Sequence, residues 1–217
     1  MQRRDFVFST LAGFTGRIAG LQKAIEPDFA AAAGKGLRVF NRVISGLTDG
    51  RRKVTRLSEN QGDGLAYLPA IEFTNGTLEL DIKGKDVQGQ SFVGVAFHGL
   101  DDSTYDAIYF RPFNFRTEDA ARRIRAVQYI AHPTNTWEKL RAEQPGKYEK
   151  GVSPVPDPND WFHARVVVAS PGVSVYVNDA KQPCLTVEQL SNRKKGWVGL
   201  WVGNTSGGDF ANFKITP

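Results

Sequence analysis

Thr77-Leu78-Glu79-Leu80-Asp81-Ile82 and Val173-Ser174-Val175-Tyr176-Val177-Asn178 alternate apolar with polar residues along their length. Successive side chains of an extended chain point to opposite faces, so each stretch reads as a strand with one face buried and the other wet. Val54 to Leu57, Leu65 to Leu68, Tyr105 to Phe110, Arg125 to Ala131, Trp161 to Ala169, Gly196 to Val202 and Phe210 to Ile215 share this short, strand-like style. Gly62-Asp63-Gly64, Asn75-Gly76 and Ser170-Pro171-Gly172 punctuate them, and Asn75-Gly76 is a strong tight-turn signal leading into the Thr77 strand. Ser91 to His98 is a mixed apolar run of the kind buried on both faces. Val187 to Leu190 is expected to make one helical turn. Many short strands between turn signals, with no sustained helical period, predict an all-β sandwich or barrel.

Pro133 to Asp160 contains five prolines and reads as one long loop, within which Trp137 to Glu143 is expected to form a short helix. The chain of 217 residues, 41% hydrophobic and 24% charged, has an ordinary globular composition, which excludes collagen-like, disordered and disulfide-rich classes. Cys184 is the only cysteine, so no intramolecular disulfide or thiolate metal cluster can form. No apolar run reaches the roughly 18 residues of a membrane-spanning helix.

The formal charge is +5, and three of those charges lie in residues 1–24, where Arg3, Arg4, Arg17 and Lys23 face Asp5 alone. Arg51-Arg52-Lys53, Arg122-Arg123 and Arg193-Lys194-Lys195 sit beside turn residues. They read as solvated loops rather than phosphate-binding patches, and no nucleic-acid partner is expected. Gln2-Arg3-Arg4-Asp5-Phe6-Val7-Phe8 resembles a twin-arginine export signal followed by a weakly apolar stretch to Ala19. Residues 1–33 are therefore expected to be signal and leader, with cleavage near Ala24 or within Ala30–Ala33. That reading places the protein in the periplasm or outside the cell. The alternative is an amphipathic helix packed on the domain of a cytoplasmic protein.

Several phrases of the body carry a family resemblance. They are Ser91 to His98, Asp101-Asp102, Tyr105 to Phe113, Ala126-Val127-Gln128-Tyr129-Ile130, Asp160-Trp161-Phe162-His163, Val175-Tyr176-Val177-Asn178, Gly199 to Asn204 and Gly208 to Phe213. Together they resemble the concanavalin A-like lectin/glucanase superfamily, and more narrowly the bacterial 3-keto-disaccharide hydrolases and their laminin-G-like relatives. The resemblance covers residues 37–217 as one domain. It implies a jelly-roll sandwich of two antiparallel sheets, a carbohydrate ligand on the concave sheet, and either lectin-like binding or hydrolysis of a glycosidic bond. A structural sandwich without a sugar site is the third reading. Laminarinase-type members carry three alternating acidic residues on one strand. Here Glu79 and Asp81 are followed by Lys83, so the set is incomplete and the pair reads as solvent-facing.

Sugars are held by aromatic faces and fixed polar groups. Tyr109 and Arg111 share a strand face, as do Gln128 and His132, while His98 follows the small residues Gly94 and Ala96 on theirs. If these strands are neighbours, Tyr109, Arg111, Gln128 and the two histidines line one groove. Asn114 reaches in from the Phe113–Phe115 turn and Trp137 closes over it. In this reading Tyr109 and Trp137 stack on sugar, Arg111 donates a forked pair of hydrogen bonds, and His98 and His132 are the catalytic candidates for general acid and base. The bland alternatives are that Arg111 pairs with Asp106 or Asp102, Tyr109 is core and Gln128 satisfies an edge carbonyl. His163 reads as structural. Trp197 and Trp201 share a face, with core packing expected for at least one. No metal ligand set and no cofactor are expected. Asp209 is the one position where the resemblance leaves a structural calcium open beside a turn-capping carboxylate. The protein is expected to be a monomer.

Overall fold

The alternation at Leu78, Leu80 and Ile82 is realised as a strand whose three apolar side chains are fully buried while Thr77, Glu79 and Asp81 remain partly exposed. The structure is a computed structural model, and it describes residues 23–32 and 35–217. The arginine pair and apolar stretch of the expected signal lie outside the described residues. One seven-stranded sheet runs in the order β1 (Arg38–Phe40), β4 (Gly64–Tyr67), β13 (Trp197–Val202), β6 (Val93–Gly99), β7 (Tyr105–Phe110), β8 (Val127–His132), β9 (Glu149–Lys150). The other seven-stranded sheet runs β12 (Leu185–Glu188), β11 (Gly172–Val177), β10 (Phe162–Ala169), β5 (Gly76–Lys83), β14 (Gly208–Thr216), β3 (Arg52–Leu57), β2 (Ile44–Asp49). Every pairing is antiparallel, and the two sheets form a jelly-roll sandwich.

The core lies between the sheets. Val93, Val95 and Phe97 of β6, Ile108 and Phe110 of β7, and Val198, Leu200 and Val202 of β13 face Leu78, Leu80, Val166 and Phe162 of the second sheet. Phe110 meets Phe162 edge-on at 5.0 Å, a favourable aromatic geometry that locks the layers together. Near the rim of this core Asp106 is fully buried, and its carboxylate accepts from Tyr129, Ser191 and both Nε and Nη2 of Arg193. This network pins the loop before β13. The solvated-loop reading of Arg193 is therefore corrected, because a buried carboxylate needs a partner.

Three local expectations are also corrected. Asn75-Gly76 does not close a hairpin: β4 and β5 belong to different sheets, and the dipeptide carries the chain between them. Asn75 Oδ1 accepts from the Ser170 amide at 3.0 Å, and Gly76, at φ 137°, lies so close to Thr216 O that a Cβ would sit 2.3 Å from it. Val187 to Leu190 is not helical, because Leu185 and Val187 are buried in alternation with Thr186 and Glu188 as strand β12 against β11. Asp209 does not cap a turn: it lies in strand β14, and both its oxygens are held by Arg56, at 2.6 and 2.7 Å.

Residues 23–32 pack on the sandwich. Ile25 exchanges two backbone hydrogen bonds of 2.8 Å with Ile215, taking the edge of β14 beyond its pairing with β3. Phe29, in the one-turn helix α1 (Phe29–Ala32), is buried and meets Phe213 edge-on at 5.2 Å, and a second one-turn helix, α2 (Ala120–Arg123), precedes β8.

The Arg193–Asp106 pair predicts a contrast. Arg193→Ala leaves a fully buried carboxylate short of its cation and is expected to cost about 3–5 kcal/mol. Arg38→Ala, which breaks the exposed pair with Asp102, is expected to cost under about 1 kcal/mol. Urea denaturation of both variants checks this; equal losses would remove the special role of Asp106.

Candidate functional site

Register fixes the floor of the site. One row across the first sheet reads Leu65, Trp201, Gly94, Tyr109, Gln128, Glu149, all paired side by side and therefore on one face. That face is turned away from the core. Gly94 has no side chain, so Tyr109 and Trp201, two strands apart, lean over it until their rings meet at 4.8 Å. Phe92 packs edge-on against Tyr109 from the far side at 6.0 Å. The next row continues through Gly199, Ala96, Ala107 and Ile130, all of them buried.

Above this floor lies a cleft of about 640 Å³. Tyr109, Arg111, Asn114, His132 and Trp137 all line it, together with Asp63, Arg122, Arg125, Glu138, Arg141, Trp201 and Asn204. The expected strand neighbours are indeed neighbours, and five of the seven proposed residues converge. Trp137 begins the helix α3 (Trp137–Glu143), whose amino end is capped by Thr136 accepting from the Lys139 amide. Leu140 buries the other face of α3, and Arg141 forks onto Glu149 of β9 at 3.1 and 2.7 Å. The helix is thereby clamped beside the trough, with Trp137 40% exposed and the Arg141 guanidinium 4.7 Å from its ring centre.

Arg111 and Gln128 play a different part from the one expected. Arg111 Nη1 donates to the Arg125 carbonyl at 2.9 Å, while Nη2 donates to the Tyr109 hydroxyl at 2.6 Å and to Gln128 Oε1 at 2.5 Å. Gln128 also accepts from the Tyr109 hydroxyl at 3.2 Å. With 4% exposure for Arg111 and 1% for Gln128, the fork expected to grip a ligand instead fixes the floor. Burial pushes the Tyr109 hydroxyl up to about 12, partly opposed by the Arg111 charge, so it stays protonated as a donor. Asn114, in the turn Pro112–Asn114, donates to the Arg125 carbonyl and accepts from Arg122 Nε.

His98 is not brought to the cleft. Phe97 and His98 together oppose the single residue Val198, a bulge that breaks the alternation begun at Gly94 and Ala96. His98 adopts φ 49°, and its ring packs against Phe97 at 5.0 Å and Phe73 at 5.9 Å. Its Nε2 donates to the Thr74 carbonyl at 2.7 Å and its Nδ1 accepts from Gln189. This is a neutral structural imidazole, and burial lowers its pKa.

His132 stacks on Tyr105 at 5.0 Å, with its Nε2 4.0 Å from Asp63 Oδ2. Burial lowers its pKa, and the nearby Asp63 and Glu138 charges partly offset that. Asp63 accepts from the Tyr105 hydroxyl at 2.7 Å, and Trp201 Nε1 donates to the same hydroxyl. Asp63 had been read only as part of a glycine turn. The buried Arg42 donates to the carbonyls of Asn41, Gly62, Gly203 and Ser206 and so pulls the Asp63 and Asn204 loops together at the cleft wall. Trp201 was legible as one of two tryptophans on a face, but not as the one that lines the cleft.

Glu79 and Asp81 lie in the other sheet and have no part in the cleft. Asp81 accepts from His163 Nδ1 and Asn212, and Lys214 pairs with Glu79. A larger hollow of about 950 Å³ opens where residues 26–31 meet β2, β3 and β14. Its aromatic residues Phe29, Phe210 and Phe213 are buried, and its His163 and Glu79 are paired. Among the described residues no cluster of three or more His, Cys, Asp or Glu is arranged to hold a metal ion, and no helix is long and apolar enough to cross a membrane.

No protein-family model and no curated protein matches the sequence. Solved structures do match in shape. The chain is similar to the carbohydrate-binding module CBM66 from Bacillus subtilis, with TM-score 0.59 and 16% identity over 83% of this chain and 95% of that one. It is similar to the exoplasmic/lumenal domain of VIP36 in its Ca2+/Man3GlcNAc-bound form, with TM-score 0.52 and 10% identity over 88% and 86%. A beta-1,3-glucanase from Mycobacterium marinum gives TM-score 0.52 and 13% identity over 92% and 99%. At such identities the likeness shows the jelly-roll fold alone, a fold shared by binders and hydrolases.

The histidines predict opposed pH effects on stability. His98 has a folded pKa below its unfolded value of about 6.5, so its contribution is present above that value and lost as pH falls through the folded pKa. His163 is raised by its bond to Asp81, so its contribution is present below about 6.5 and lost as pH rises through the folded pKa. Denaturation midpoints across the acid range are expected to fall less steeply on acidification in His98→Gln and more steeply in His163→Gln than in the parent. Identical slopes in all three would contradict the assignment.

Proposed function

We propose that the protein binds carbohydrate in the cleft on its concave sheet. The observation that carries this reading is that exposed Trp137 and the buried Tyr109–Trp201 pair line one cleft together with many hydrogen-bonding side chains. A sugar presents C–H faces to an aromatic ring and hydroxyls to fixed donors and acceptors, and this lining offers both. Trp137 stacks on a ring, while Asn114, Asn204, Arg122 and Arg125 reach its hydroxyls. Arg111 and Gln128 position Tyr109 beneath it. The solved structures of similar shape that bind or cleave glycans are consistent with this use of the fold.

A second reading rests on a specific pair. Neutral His132 and Asp63 stand at one end of the cleft with Glu138 near them, a set able to take and return a proton during cleavage of a glycosidic bond. The resemblance to 3-keto-disaccharide hydrolases makes an oxidised disaccharide the substrate to try. Turnover of ordinary and 3-keto disaccharides that vanishes in His132→Gln and Asp63→Asn supports hydrolysis; binding without turnover in the parent leaves a lectin-like module.

Action outside the cytoplasm completes the proposal, supported by Arg3-Arg4 ahead of Phe6 and by the packing of Ile25 and Phe29 on β14. That packing favours cleavage near Ala24 over cleavage within Ala30–Ala33, since the latter would remove Phe29 from its place. A single chain carries the whole cleft, and the proposal takes it as a monomer.

Trp137→Ala is expected to weaken binding of the best ligand on a glycan array by about tenfold, one stacking contact's worth, with little effect on the melting temperature. Full affinity in that variant, measured by titration calorimetry, would remove the stacking platform from the account.

A further inference from the structure

Four arginines, Arg111, Arg122, Arg125 and Arg141, line one end of the cleft. One carboxylate is placed among them. Glu149 is 4% exposed and receives the bidentate fork of Arg141, with Arg125 Nε at 3.5 Å and Arg111 Nη1 at 3.8 Å. Arg122 donates only to neutral acceptors, Asn114 Oδ1 and the Phe113 carbonyl. Arg125 is the least satisfied of the group. Its Nε is buried without a hydrogen-bond partner, and none of its guanidinium nitrogens donates to another described residue, while the side chain as a whole is 36% exposed. One Glu charge against four Arg charges leaves this end with an excess of positive charge in a partly desolvated place, an arrangement that an incoming anion relieves.

The opposing groups lie elsewhere. Asp63 is bonded to Tyr105, and His132 pairs with Tyr105 across the ladder, whereas Arg111 follows directly on the other end of β7. Six residues of strand put these two backbone positions ~20 Å apart, and the side chains between them, Trp201 bonded to Tyr105 and in contact with Tyr109, bring the two sets of charges closer than that. Glu138 acts on His132 but lies one helical turn from Arg141 on α3, so it stands between the two sets of charges. The cleft is therefore polar along its length, cationic at one end and acidic at the other.

We propose that the glycan taken by this cleft is acidic, with a uronate carboxylate seated between Arg125 and Arg122 while its neutral neighbours run toward Trp137 and Asp63. This rests on the carbohydrate reading above and adds the chemical class of ligand. A planar carboxylate with two acceptor oxygens matches a guanidinium, and the Arg125 Nη nitrogens, unlike its buried Nε beside Glu149, belong to a partly exposed side chain and donate to no other described residue.

The test is calorimetric titration with uronate-containing oligosaccharides, their methyl-esterified neutral counterparts and sulfated oligosaccharides of the same backbone. The uronate form is expected to bind at least about tenfold more tightly than its ester, with affinity falling as salt rises. Arg125→Gln and Arg122→Gln each narrow that gap, while Lys181→Gln, the same charge change on an exposed residue away from the cleft, leaves it intact. Equal binding of uronate and ester overturns the acidic-ligand proposal while the carbohydrate reading stands. Tighter binding of the sulfated form overturns the carboxylate assignment in favour of a tetrahedral anion. Absence of binding to every oligosaccharide overturns both readings together.

Discussion

The contact of Tyr109 with Trp201 over the bare backbone of Gly94 is the constraint from which the concave face follows. Strands in a sheet lie about 4.8 Å apart, so two side chains separated by an intervening strand meet only if that strand offers no side chain between them. A Cβ at Gly94 would lie 2.1 Å from the Ile108 carbonyl, so even alanine is excluded there. With the rings closed over β6, the sheet's outer face acquires an aromatic floor at one level, while the next row, through Ala96, Ala107 and Gly199, is buried. Arg111 and Gln128 then fix the Tyr109 hydroxyl from below. Polar burial on a central strand is costly unless each group is satisfied, and here the three side chains satisfy one another.

The walls obey a different logic. They come from connections: the Gly62–Asp63 turn and the Gly203–Asn204 turn tied together by Arg42, the Pro112–Asn114 turn, and α3 tied to β9 through Arg141 and Glu149. Each tie uses a guanidinium whose several donors reach more than one loop. Arginine suits this role because its planar fork satisfies widely spaced carbonyls and carboxylates without neutralising itself. The consequence is a cleft rich in positive charge. Glu149 organises three of those charges but cancels one, and the stability of the walls and the electrostatics of the site thus share a source.

Much of the sandwich was legible because burial on one face leaves a period-two signature. β5 and β11 could be read almost residue for residue, and α3 was expected at Trp137 to Glu143 inside a proline-rich stretch. Sequence failed where geometry departs from the local pattern. Asn75-Gly76 has hairpin chemistry, yet the chain there changes sheets, a choice made by tertiary pairing with Ser170 and Thr216. Alternation placed His98 beside Ala96, but one extra residue against Val198 turned it away. Leu185 begins β12 two residues before Val187, and pairing with β11 holds the stretch extended. At the site, strand-borne residues were accessible to reasoning by face, and Tyr109, Arg111, Asn114, His132 and Trp137 do converge. Asp63, Arg125, Arg141 and Glu149 come from turns and short elements with no periodicity, and nothing local marks them.

This division between floor and walls explains how structures sharing only 10–16% identity can share the shape. The fold requires apolar residues on inward positions and a tolerable set on outward ones, a demand that many sequences meet. Chemistry enters through loops that the sandwich merely holds in place. A neighbour's ligand therefore transfers to this chain only as far as its walls agree, and the walls here are distinguished by four guanidinium groups at one end of the trough and an aspartate–histidine pair at the other. Because the floor residues are engaged with each other, altering them disturbs the sheet before it changes the ligand. Under the carbohydrate proposal, specificity resides in side chains that still have unused donors, and in this cleft Arg125 is one of them.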